Sequence, residues 1–209
     1  MSFTGPGNYR EEAAKTIRDK PEVRTSITAA TRTFDAHRVH AWGQIDADRW
    51  RDWARDVKSH VLGHLDEYLE QAEEQLTANG AHVHWAETAE DALAILGDIV
   101  REHGVESAVK AKSMLSEELG VNAHLESLGV HVRETDLGEY IIQLAEETPS
   151  HIVAPALHKS KEDVAELFTE KLGIPYDEDI FHMAATARTV LRDKFMEADL
   201  GISGANFVV

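Results

Sequence analysis

The 209-residue chain contains no cysteine. It therefore supplies neither a disulfide nor a thiolate metal ligand, and cysteine usage says nothing of its redox compartment. Positive charge is scarce too, since 21 Lys and Arg face 38 Asp and Glu for a formal net charge of −17. A general nucleic-acid binder needs a basic face to neutralise phosphates, so this balance argues against that class and for solubility. No apolar run approaches a membrane span, and the opening MSFTGPGNYREEAAK holds no hydrophobic stretch of the secretory kind. The cytoplasm is the default expectation. No G-x-G-x-x-G and no P-loop occurs, and GISG at 201–204 is too short and too early in its strand for a dinucleotide fingerprint.

What is present describes a folding chain. Hydrophobic residues make up 43% and charged residues 28%, the balance of a soluble globular protein. The length suits one sizeable core with an appendage. Residues 1–79 are polar and helical in pattern, with segments at Asn8 to about His40 and Asp46 to Ala78, and read as a helical arm or hairpin. Its second segment carries Trp50, Trp53, Val57, Val61, Leu62, Leu65 and Leu69 at helical spacing, one apolar stripe that needs a partner. That partner is the main domain or another subunit.

Residues 80–209 change character. Short β-rich runs at 81 (AHVHWA), 105 (VESAVKA), 130 (VHVRET), 150 (SHIVAP) and 200 (LGISGANFVV) alternate with helical stretches. Thr88 with Asp91 and Ser160 with Asp163 form capping pairs, and Gly104 and Gly173 close the helices they open. Strand, helix and turn signals in that order predict βαβ units and a mainly parallel sheet with flanking helices, an α/β fold.

Ligands of open α/β sheets bind beyond the carboxyl ends of the strands. The polar residues there are Lys110, Lys112, Ser113, Ser116, Glu117 and Glu118 after the second run, and Thr135, Asp136 and Glu139 after the third. His158 and Lys159 follow the fourth, and Gly204 and Asn206 lie in the last. Lys112 and the amides near Ser113 suit an anion, although Ser113 or Ser116 as a plain cap explains the same residues. Asp136 and His158 are the candidate acid–base groups, with Glu139 read as the helix-start residue. His82 and His84 share a strand face, but no third ligand accompanies them, and no metal site is expected.

The stretch VKAKSMLSEELGVNAHLESLGVHVRETDLGEYIIQLAEETPSHIVAPALHKSKEDVAELFTEKLG, followed by ADLGISGANF, closely resembles the lactate utilization protein B family, whose members carry an LUD domain. The resemblance runs from about Trp42 to the end. It is densest over Lys110–Gly173 and Ala198–Phe207. It implies a NagB/RpiA/CoA-transferase-like domain in a system that oxidises lactate to pyruvate, with other lactate-utilization subunits and a small carboxylate such as lactate as partners. It also implies a C-terminal region whose cysteines bind 4Fe-4S clusters. This chain has no such cysteines and stops at NFVV, so it reads as the N-terminal portion of a longer protein, with no cofactor of its own. A homo-oligomer stays open. The alternatives are a stand-alone sugar-phosphate isomerase or CoA-transferase-like enzyme using Glu117, Glu118 or Asp136, and a non-catalytic interaction scaffold docking through the Trp50/Trp53 stripe.

Overall fold

The computed structural model describes residues 9–147 and 149–205, among which there are ten helices and three strands. They fall into two compact units, one holding the residues up to Thr28 together with Thr88–Ala205, the other Ala29–Glu87.

The helical segments of the arm each divide. The first gives α1 (Tyr9–Asp19) and α2 (Pro21–Trp42), with Pro21 at the first position of α2, where a missing N–H removes no helical bond. The second gives α3 (Ala47–Gly63) and α4 (Leu65–Ala78), which part at His64, whose φ of −133° leaves the helical region. Asp46 caps α3 by accepting from the Arg49 amide at 3.1 Å. Neither α3 nor α4 contains a buried residue, and the whole apolar stripe from Trp50 to Leu69 is exposed.

The other unit is built on a sheet of β1 (Ser107–Lys110), β2 (His131–Glu134) and β3 (Leu200–Ile202), all parallel, in the order β2-β1-β3. Helix α5 (Ala89–His103) leads into β1, and α6 (Met114–Glu118) and α7 (Val121–Ser127) form the crossover from β1 to β2. The expected capping boxes are formed at Thr88/Asp91 and Ser160/Asp163, and Gly104 and Gly173 take the left-handed conformation at φ 60° and 68°. Ala108 and Val132 join Val100, Val121, Leu125 and Val130 in one apolar cluster beneath α5 and α7. A second cluster forms among α8 (Leu137–Ala145), α9 (Lys161–Leu172) and α10 (Ile180–Glu197), centred on Tyr140, Phe168, Met183 and Leu191.

Side chains finish what so small a sheet leaves open. On the outer edge of β2, Gln143 of α8 donates to the Val132 carbonyl at 2.9 Å and accepts from the Glu134 amide at 3.2 Å, replacing a further strand there. At the other end of the sheet, one Asp199 oxygen accepts from the Ser107 hydroxyl at 2.9 Å and from the Glu106 and Ser107 amides at 3.1 and 3.0 Å. These bonds, led by the Ser107 hydroxyl, hold the Asp199 carboxyl below its ordinary range.

Two runs expected as strands are not. Residues 81–86 are irregular, with Trp85 exposed and its indole donating to Glu73 at 3.1 Å. Alternation there has no covered face to serve. Residues 150–155 make a turn instead, in which the His151 ring accepts from the Val153 and Ala154 amides at 3.0 and 3.2 Å and the Ser150 amide donates to the Pro155 carbonyl. A side chain has taken the amides that a ladder needs.

Phe168 is 0% exposed and Leu62 is 72% exposed. Phe168→Ala should cost about 3–5 kcal/mol and Leu62→Ala stay within about 0.5 kcal/mol, both read by urea denaturation. For Asp199 the folded pKa lies below the unfolded one. Its stabilisation is therefore complete above the ordinary aspartate range and fades as pH falls through the lowered value. The urea midpoints of the wild type and Asp199→Asn should differ at neutral pH and converge in acid.

Candidate functional site

The carboxyl ends of β1 and β2 lie side by side, with Lys110 in register with Glu134. The two-residue period of each strand puts Lys110 on the face of Ala108, and Glu134 on the face of Val132, the core side. A lysine and a glutamate thus occupy positions where the pattern calls for apolar residues.

Lys110 is 0% exposed. Its ammonium reaches Glu134 Oε1 at 2.9 Å, Glu117 Oε1 at 2.6 Å and Ser116 Oγ at 3.3 Å. Asn122 of α7 donates to the same Glu134 oxygen at 2.7 Å. Burial pulls Lys110 down, but its hydrogen bonds to Glu117 and Glu134 outweigh that and hold it above the ordinary lysine value. Glu134 is raised, because burial opposes its charge more strongly than Asn122 and Lys110 support it, with Glu117 adding repulsion. One cation does not neutralise two carboxylates here. Glu117, whose side chain is 41% exposed, connects the cluster to solvent. Glu134 Oε2 and Asn122 Oδ1 are buried with no hydrogen-bond partner among the described residues. Unpaired buried acceptors each cost about 1–3 kcal/mol, a burden that packing alone does not explain.

The remaining expected residues form two more groups. Lys112 pairs with the buried Glu139 at 3.2 Å and donates to the Val153 carbonyl at 3.2 Å, tying the 150–155 turn to the start of α8. Asp136, not Glu139, caps that helix, accepting from the Gly138 and Glu139 amides at 3.0 and 3.2 Å. His158 and Lys159 both bind Glu147, at 2.8 and 2.5 Å. Burial raises Glu147, but these two partners overcome it and hold the carboxyl below its ordinary range. Among the described residues, no hydrogen bond joins this group to Lys110.

The rest are placed as follows. Ser113 caps α6 by accepting from the Ser116 amide at 3.3 Å, and Ser116 donates its hydroxyl to the Ser113 carbonyl at 2.8 Å. Thr135 donates through both its amide and its hydroxyl to the Lys110 carbonyl, at 3.0 Å each. Glu118 faces solvent. Gly204, just after β3, lies so close to Ser113 that a Cβ there would sit 2.8 Å from its hydroxyl oxygen, and any larger residue would force Ser113 to shift. Asn206 lies outside the described residues. Among the described residues, no set of three His, Asp or Glu converges in a way that could hold a metal ion.

Glu134, Asn122 and Glu147 were not among the expected residues. For Glu134 a signal was present: in VHVRET it falls on the same face as two valines, where burial makes a carboxylate significant. Asn122 and Glu147 carry no comparable mark.

Fold and site together define a small parallel α/β domain with a buried lysine–carboxylate centre at the carboxyl edge of its sheet. The LUD domain family model matches residues 69–209, and the chain belongs to that family. It is similar to lactate utilization protein B of Bacillus licheniformis, 41% identical over 98% of this chain and 43% of that protein. The corresponding proteins of Bacillus velezensis and Bacillus subtilis are 41% and 39% identical, again over 98% of this chain and 43% of theirs. The chain spans less than half the length of these curated relatives. No solved structure matches it significantly.

The buried ion cluster sets a measurable expectation. Lys110→Met strands Glu134 in the interior and should cost about 3–5 kcal/mol in urea denaturation at neutral pH. Adding Glu134→Leu should recover part of that loss, since no buried charge is then left unpaired, and the double-mutant cycle gives the coupling.

Proposed function

We propose that this chain is the LUD-domain portion of a subunit of an L-lactate utilization system, whose whole protein takes part in the oxidation of lactate to pyruvate. The observation that carries the reading is the 41% identity to lactate utilization protein B along 98% of the chain. The iron–sulfur clusters implied for such a subunit do not fit the residues present, because the chain has no cysteine to ligate them. Electron transfer through them belongs to the rest of the protein. The NagB/RpiA/CoA-transferase-like kinship of the sheet is part of the same proposal.

Within that reading the carboxyl edge of the sheet is where a small hydroxy or oxo acid is bound. Lys110 is held cationic and Glu134 is pushed toward its neutral form, so the pair offers a positive charge beside an exchangeable proton. Lys112, two residues after Lys110, adds a partly solvated cation. Glu134 replaces Asp136 as the favoured proton-handling group, because both backbone amides that Asp136 holds are needed to start α8.

A scaffold role for the helical arm gains support from one observation, the exposure of the whole Trp50 to Leu69 stripe. It is compatible with the first reading, since a subunit needs a surface for its neighbours.

Disruption of the gene should abolish growth of its host on L-lactate while sparing growth on glucose, and the intact gene should restore it. A disruptant that still grows on lactate removes the reading. Isothermal calorimetry of L-lactate and pyruvate on the folded 209-residue chain tests the site, with heat expected for at least one of them and lost in Glu134→Gln.

A further inference from the structure

We propose that the groove between α10 and the β2–α8 turn is a binding site for an organic monoanion whose apolar body is larger than that of a three-carbon acid. The groove encloses about 370 Å³ and lies wholly within the sheet-containing unit. That volume falls in the range of about 300–1,000 Å³ usual for small-molecule sites.

Its floor comes from one face of α10. Ala184, Ala187 and Leu191 recur at helical spacing, and the two alanines leave the room. Leu137 closes one side, and Phe195 and Met196 another. Phe195 and Met196 are 54% and 79% exposed, so the rim of the groove presents apolar surface to a ligand. Methionine is also the side chain best able to adapt to a ligand's shape.

Arg188 and Arg192 supply the charge, one turn apart on α10 and both lining the groove. The arginine ion pairs among the described residues are made by Arg18, Arg38, Arg51, Arg55 and Arg101, and not by these two. Among the described residues other arginines also make no ion pair; what sets Arg188 and Arg192 apart is that both line an apolar groove, where no carboxylate ion pair among the described residues competes for their guanidinium groups. Guanidinium groups bind carboxylates and phosphates through paired, charge-assisted hydrogen bonds.

Position agrees with this. Thr135, which directly follows β2, lines the groove and donates its hydroxyl to the Lys110 carbonyl at 3.0 Å, so one wall is attached to the carboxyl edge of the sheet. Size selects among anions. At water's ~30 Å³ per heavy atom, lactate fills about 180 Å³ and an eight-carbon carboxylate about 300 Å³. The groove is therefore a second site, distinct in ligand class from the polar cluster around Lys110.

The test is calorimetry on the 209-residue chain at neutral pH and low salt, with octanoate, octan-1-ol and L-lactate as probes. Octanoate should bind at one site at least tenfold more tightly than octanol, and L-lactate should not displace it, whether or not lactate binds elsewhere. Arg188→Gln and Arg192→Gln should each weaken octanoate about tenfold and leave octanol unchanged. Both arginines are exposed, so these variants should keep the parent's circular dichroism and melting temperature. Ala184→Phe should fill the groove and abolish binding of both probes. Equal affinity for octanoate and octanol, no octanoate binding, displacement by lactate, or unchanged affinity in both arginine variants would each overturn the proposal.

Discussion

The structure of the sheet-containing unit turns on a single buried ammonium. Lys110 ends the central strand, and its charge is met by Glu134 from the neighbouring strand and Glu117 from the next helix. Removal from water of a charge that size is prohibitive unless partners surround it, so β1, β2 and α6 are held to one arrangement. The backbone repeats the constraint, since Thr135 donates twice to the Lys110 carbonyl. An apolar residue at 110 would satisfy the packing; it would not fix the neighbours so narrowly.

From that centre the fold is economical. Three short strands cannot satisfy their own edges, and side chains complete them: Gln143 at β2, Asp199 where β3 meets β1. Two apolar clusters then suffice, one under α5 and α7 and one among α8, α9 and α10. The arm differs in kind. Helices α3 and α4 bury nothing; α4 is tied to α3 by the His60–Tyr68 hydrogen bond, and α3 is supported by its Asp46 cap and surface ion pairs such as Arg51–Asp48 and Arg55–Asp52. Pairs of that sort contribute only a few tenths of a kcal/mol, roughly, which leaves the tryptophan stripe as the arm's main unmet driving force.

Much of this was legible in the residues. The helices opened by Thr88 and Ser160 and closed by Gly104 and Gly173 follow from local chemistry that needs no tertiary partner. The strands around Ala108, Val132 and Gly201 were likewise marked by composition and spacing. Runs 81–86 and 150–155 misled because alternation implies a strand only when one face is covered and the amides are free. At 150–155 the His151 ring had already engaged two of them. In the site, Lys110, Ser116 and Glu117 were found by their place after a strand, whereas Asn122, twelve residues before Glu134, meets it only because α7 returns over the sheet.

Sequence alone determined the local events: caps, breaks, the parallel order implied by alternating strands and helices, and the membership of the LUD family carried by long runs of mixed residue types. Tertiary structure alone decided which charges are buried. Glu134 and Asp136 are two residues apart and chemically alike, yet one lies in the interior beside Lys110 while the other faces solvent and caps a helix. The reason is dielectric. A carboxylate's role depends on which groups replace its water, and those groups come from elements that are distant in the chain and adjacent only after folding.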